Sequence, residues 1–230
     1  MYLLTETASP FALERWAAFF ANFGQFAKGF FYTLGISIGA LIVALLLGLI
    51  FGAMSSTHNK ILRGISRVYV EIFQNTPLLV QFVVVFYGIS ILTDGHVMIP
   101  ISLTAILCVG VYTGAYISEI IRTGIEAVPK GQTEAALSQG FTYADTMRII
   151  ILPQAVRTIL PPLTNQVVNL IKNTSTVAII SGADIMFTAK AWAYDTTNYV
   201  PAFAGAAFLY FIMCFPLATW ARRKEEENKK

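Results

Sequence analysis

From residue 29 to residue 57 the chain carries no charged side chain, a run of 29 residues rich in Leu, Ile and Phe. A helix of that composition has no polar face to show to water, and roughly 20 apolar residues suffice to cross a bilayer. Residues 30–54 therefore read as a membrane span. Four further stretches read the same way: 72–93 between Glu71 and Asp94, 97–118, 149–170, and 196–220. The fourth of the five is interrupted by Arg157 and by Pro161-Pro162. Segment 174–183 is too short to cross and reads as a kinked continuation or a re-entrant piece. The expectation is an all-α membrane protein with five transmembrane helices. Composition agrees, with 56% hydrophobic and 13% charged residues and a mean hydropathy of +0.63, where a soluble domain carries about 25% charged residues. A formal net charge of +3 is too small to point to nucleic acid. Cys108 and Cys214 lie inside apolar stretches and read as small buried hydrophobes, not as a disulfide or a metal pair.

Lys and Arg accumulate in the cytoplasmic loops of membrane proteins. Here the loop after the first span carries Lys60, Arg63 and Arg67, and the loop after the third carries Arg122, Lys130 and Arg148. The tail adds Arg222, Arg223, Lys224, Lys229 and Lys230, against Arg15, Lys28, Lys190 and Lys172 elsewhere. This asymmetry puts the N-terminus outside and the C-terminus in the cytoplasm. Arg157 stands a turn past Pro153 and is expected to snorkel to the cytoplasmic interface. Residues 1–28 hold Phe11, Trp16, Phe19, Phe20, Phe23 and Phe26, a pattern suited to an amphipathic helix in the outer interface or to an extension of the first span. No basic segment with a small-residue cleavage site precedes them, so they do not read as a cleaved signal. The membrane-embedded body is then 29–220, and 221–230 is a charged tail.

One cytoplasmic loop, 129–153, is too ordered to be a mere connector. Glu134-Ala135-Ala136 is followed, after three intervening residues, by Gly140, and after nine further intervening residues by Ile150, with Leu152 and Pro153 close behind. Pro129 and Gly131 lead in, Thr133-Glu134 reads as a helical start with its acid in the first turn, and Gly140 reads as a helix end with φ > 0. Thr142 reads as the N-cap of a second short helix, with Asp145 reaching back to it. Two short helices around a glycine make a compact knob, with small alanines on one face to let another protein approach. The chain has no G-x-x-x-x-G-K-[ST] phosphate loop, and His58 and His96 stand alone. Nothing here binds or hydrolyses ATP, so the chain does not read as an enzyme.

The spacing E-A-A-x3-G-x9-I-x-L-P resembles the coupling loop of ABC importer permeases. Asn75-Thr76-Pro77-Leu78-Leu79-Val80-Gln81, Ala115 to Arg122, Pro129-Lys130-Gly131-Gln132 and Leu160-Pro161-Pro162-Leu163-Thr164-Asn165 resemble the polar amino acid uptake branch of that family. The resemblance implies a permease dimer, of two copies or with a paralogue, in the bacterial inner membrane. It also implies an ATPase dimer that holds ATP and magnesium, an extracytoplasmic solute-binding protein, and alternating access. Glu134, Ala135, Ala136, Gly140, Leu152 and Pro153 would couple to the ATPase. Many relatives have Arg where this chain has Gln74, and several that move basic amino acids have Glu in place of Gln166.

Polar groups at membrane depth face a cavity or a partner helix. Asn165, Asn169, Asn173 and Thr176 recur on one helical face, flanked by Gln166 and Lys172. Gln74, Asn75, Thr76 and Gln81 cluster about Pro77. Amides offer donors and acceptors to an amino acid zwitterion, and they serve interhelical packing equally well. Glu119 and Arg122 read as a local ion pair. The absence of a carboxylate on the Asn face favours a neutral or acidic amino acid, glutamine or glutamate first. A basic amino acid or cystine is the alternative, and a secondary transporter, which would show inverted repeats, is the alternative class. Membrane lipid is the remaining partner.

Overall fold

The computed structural model describes residues 9–228, and every regular element among them is helical. Residues 1–8 and the tail's Lys229 and Lys230 lie outside the described residues. The N-terminal segment divides. Helix α1, Leu13–Ala21, stops at Asn22, and α2 runs from Phe23–Ser55, so the first span begins earlier than residue 29. Phe19 of α1 is buried against Phe26 and Trp192, while Phe11 and Phe20 are 72% and 67% exposed. Residues 23–28 of this segment thus extend the first span's helix, and α1 is a separate short helix.

Helix α3, Lys60–Gln74, is followed by α4, Leu78–Val83, a π-helical turn and α5, Ile89–Leu92. The expected span over 72–93 is not straight: the chain bends by 96° near its start, between α3 and the α4–α5 segment. Pro77 has no N–H to donate and disfavours helix at the residue before it. The carbonyls left free at the bend are met by side chains. Gln81 Nε2 donates to the Phe73 and Thr76 carbonyls, both at 3.2 Å, and to Thr76 Oγ1 at 2.8 Å.

Helix α6, Ile101–Glu126, starts after Pro100 and lies along α2. Small residues let the two backbones approach, as helix pairs in lipid require. A Cβ on Gly48 would sit 2.4 Å from Ile117 Cγ2. Next come α7, Lys130–Ser138, the short α8, Tyr143–Asp145, a π turn at Thr146–Ile151, and α9, Leu152–Asn173. Pro161 and Pro162 do not interrupt α9, which runs on into a 3-10 turn, Thr174–Ile180, the expected kinked continuation. A helix not foreseen, α10, covers Ile185–Thr196, and α11 is Tyr199–Asn228.

Among the described residues three helices are long and apolar enough to cross a membrane: α2, α6 and the Tyr199–Arg223 part of α11, with the bent α3 to α5 pair a fourth. The main core joins α2, α4, α6 and α9 through Ile36, Phe82, Val109, Ile117 and Leu170. A second cluster joins α1, α2, α10 and α11 around Phe19, Phe26, Ile185, Trp192 and Leu209.

Candidate functional site

Pro129 has an extended ψ of 132° and starts α7 at Lys130, so Glu134 is the fifth helical residue and not part of the first turn as expected. The helix ends as the sequence requires. Gly140 has φ +88°, its N–H donates to the Leu137 carbonyl at 3.0 Å, and the Phe141 N–H reaches back to the Ala136 carbonyl at 3.1 Å. These paired bonds around a left-handed glycine form a Schellman motif. Thr142 Oγ1 then accepts from the Asp145 N–H at 3.2 Å and donates to Asp145 Oδ2 at 2.6 Å, the expected cap. The two-helix knob is therefore closed at both internal ends.

Its faces differ from expectation in one respect. Ala136 is buried at 3% exposure and anchors the knob, so only Ala135, beside exposed Glu134 and Leu137, is open to a partner. Leu152 and Pro153 open α9 and are exposed. Beneath them Val128, Ile151, Ala155 and Ile159 form a small core of their own. A groove of about 670 Å³ runs between the knob and the α2–α3 connection, lined among others by His58, Glu126, Lys130, Glu134 and Tyr143. The rings of His58 and Tyr143 lie 5.1 Å apart across it.

The polar residues at membrane depth separate into two groups. Those about Pro77 are engaged by this chain's own backbone: Gln74 Nε2 donates to the Ala115 carbonyl at 3.2 Å, Asn75 Nδ2 to the Glu71 carbonyl at 2.9 Å, and Thr76 Oγ1 to the Ile72 carbonyl at 2.8 Å. On α9, Asn165, Asn169 and Lys172 are exposed and Asn173 is half-buried, whereas Gln166 is buried. Gln166 thus turns towards the chain's own helices and not onto the open Asn face. Arg122 does pair with Glu119, with Nε to Oε2 at 2.9 Å, and also reaches Glu126.

On the side opposite the knob, Asp184 is 1% exposed and caps α10, accepting from the Met186 and Phe187 N–H groups at 3.1 and 3.2 Å and from the Tyr210 hydroxyl at 3.3 Å. Burial pushes its carboxyl up to about 6, against the donors that favour the ionised form. Sequence reading passed over this residue because a search for uncharged runs stops at it. Its signal was an Asp directly before an apolar helical segment. Among the described residues no group of three or more His, Cys, Asp or Glu could hold a metal ion.

The profile of the binding-protein-dependent transport system inner membrane component family matches residues 44–225. The chain belongs to this family. It is accordingly an inner-membrane permease component of an ABC importer and not the ATPase, which decides against a secondary transporter. The permease is 36% identical over 214 residues to the probable glutamine ABC transporter permease protein GlnM of Bacillus subtilis (strain 168), covering 92% of this chain and 96% of that one. It is 33% identical over 208 residues to the glutamate/aspartate import permease protein GltJ of Escherichia coli (strain K12), covering 83% and 85%. Its fold matches the crystal structure of an amino acid ABC transporter with histidines at a TM-score of 0.85 and 31% identity, covering 92% of this chain and 98% of that one.

Proposed function

We propose that this permease imports a polar amino acid, glutamine or glutamate first, by alternating access in a complex with an ATPase dimer, a second permease chain and an extracytoplasmic binding protein. The observation that carries this reading is the knob at α7–α8, whose exposed Glu134 and Ala135 stand on a helix closed by a Schellman turn. The GlnM and GltJ relatives support the substrate. In this reading α9 supplies the fifth crossing, which its length allows although Asn165, Asn169 and Lys172 lower its hydropathy. The N-terminus is then outside and the knob cytoplasmic.

Glu134, Ala135, Ala136, Gly140, Leu152 and Pro153 form the ATPase contact, with Ala136 holding the knob from within. Asn165, Asn169 and Asn173 with Lys172 face the substrate path, and Gln166, Gln74, Asn75 and Thr76 shape it from behind. The open Asn face has no carboxylate to compensate a cationic side chain. ATP and magnesium sit on the partner ATPase. Cystine is the second reading, because the L-cystine transport system permease protein TcyB of Bacillus subtilis (strain 168) is 36% identical over 191 residues.

The test is ATPase stimulation and uptake by proteoliposomes holding the whole complex with its binding protein, screened across amino acids. Stimulation by glutamine or glutamate is expected. A complex that carries arginine or cystine and ignores both of these would overturn the substrate assignment.

A further inference from the structure

Helix α3 has three faces. Ser66 and Tyr69 are buried, with the Ser66 hydroxyl on the Phe51 carbonyl at 2.8 Å and the Tyr69 hydroxyl on the Val111 carbonyl at 2.7 Å. Ile61, Ile65, Val68 and Ile72, spaced i, i+4, i+7 and i+11, form a stripe of which each member is 49% to 73% exposed. Lys60, Arg63 and Arg67 form a third, polar edge. At about 100° per residue the buried face and the apolar stripe lie about 100° apart, and the cationic edge lies opposite their bisector. A helix so divided rests half on its own protein and half on hydrocarbon, with its cations towards the headgroups.

The position of α3 fits that division. Its contact with Phe51 lies about one turn from the end of α2, on the same side as the knob, since His58 of the α2–α3 connection meets Tyr143 of α8. The 96° bend then turns α4 and α5 away from it. A recess of about 840 Å³ opens beside the cationic edge. Across the recess Glu119 and Glu126 share the single cation Arg122, and Glu71 lies 3.8 Å from Arg67. Four cations and three carboxylates line the recess, a surplus of one positive charge, and Lys60 and Arg63 form no ion pair among the described residues.

We propose that α3 binds an anionic phospholipid of the leaflet on the knob side. Its phosphate lies on Lys60, Arg63 and Arg67, and its acyl chains lie along Ile61, Ile65, Val68 and Ile72. One amphiphile satisfies both exposed faces at once, which neither a free anion nor a second protein helix does. Each cation near an anionic surface contributes roughly fivefold in affinity, so removal of all three lowers it on the order of a hundredfold.

The test uses the permease–ATPase complex in vesicles of phosphatidylcholine alone and of equal parts phosphatidylcholine and phosphatidylglycerol. Phospholipid retained through purification is read by native mass spectrometry, and ATPase rate is read in both vesicles. Wild type is expected to retain phosphatidylglycerol and to run faster with it. The triple variant Lys60→Gln, Arg63→Gln, Arg67→Gln loses both effects while still assembling, and Arg63→Lys with Arg67→Lys keeps them. Equal retention by the triple variant overturns the proposal. So does displacement of the lipid by inorganic phosphate, or a disulfide between two copies of Ile65→Cys, which would mean that a second chain covers the stripe.

Discussion

Two proline sites in this permease behave in opposite ways. In sequence, Pro161-Pro162 looks like the interruption, while Pro77 falls inside the expected span 72–93. In the structure α9 passes through Pro161 and Pro162 unbroken, and the chain turns by 96° at Pro77. The difference lies in the neighbours. Around Pro77 stand Asn75, Thr76 and Gln81, whose side chains take over the carbonyls that a bend sets free. Around Pro161 stand Ile159, Leu160 and Leu163, and Asn165, placed four residues on as Gln81 is from Pro77, is exposed and bonds no carbonyl among the described residues. The Thr164 hydroxyl bonds the Leu160 carbonyl at 2.9 Å within the helix. Proline permits a bend. Polar side chains decide whether it occurs.

Gln81→Leu is the sharpest attack on that contrast. It removes three hydrogen bonds at similar side-chain volume and leaves two carbonyls of the bend unpaired. The expected loss is about 2–3 kcal/mol, from the usual penalty for an unsatisfied polar group. It would appear as a lower thermal midpoint of the purified complex and reduced transport. A variant as stable as wild type would mean that packing and not the amide holds the bend.

Asp184 is the same device at a helix start, and Asp184→Ala should cost about 1–2 kcal/mol as a lost cap. Acidity gives a second handle. The carboxyl, at about 6, sits above the ordinary Asp value of 3.8. Its contribution is therefore full below the ordinary value and is lost as pH rises through about 6. Relative to Asp184→Asn, whose midpoint does not follow this titration, the wild-type midpoint should fall between pH 4 and pH 7. Parallel curves for the two proteins would remove the carboxyl as the cause.

Much of this was legible in the sequence. The long uncharged runs located α2, α6 and α11 because a bilayer demands length and apolarity and little else. The knob was legible because Gly140 and Thr142 are local signals, each acting within three or four residues. What escaped notice depended on distant or three-dimensional partners. The bend at Pro77 needed Gln81 to fold back over it. Helix α10 was hidden because Asp184 and Lys190 break its apolar run, yet the first is its cap. Ala136 and Gln166 were assigned to open faces, and only packing against the Thr146–Ile151 turn and the neighbouring helices shows that they point inward.

Gly140→Val tests a bend that needs no side chain at all. Its φ of +88° is accessible to glycine and strained for a β-branched residue by about 1–2 kcal/mol. The two knob helices share few contacts with the membrane core, so the midpoint should drop little. Stimulation of the ATPase should fall strongly, as it should for Glu134→Lys, while insertion stays normal. Full stimulation in both variants would sink the coupling assignment.

The smallest effect is expected at the other proline site. In a continuous helix Pro161→Ala restores one N–H donor and removes the clash of the ring with the preceding turn, a change worth up to about 3 kcal/mol in water-exposed helices. In α9 the surrounding helices already hold the backbone straight enough for the helix to pass, so most of that strain has been relieved by packing. The midpoint should stay within about 1 kcal/mol of wild type or rise slightly. Gln81→Leu combined with Pro161→Ala should then behave as the sum of its parts, since the two sites lie on different helices and share no hydrogen bond. A large loss on Pro161→Ala alone would reverse the comparison. It would mean that the proline ring is itself a packing element, and that α9 is shaped by its prolines as strictly as the α3–α4 bend is shaped by its amides.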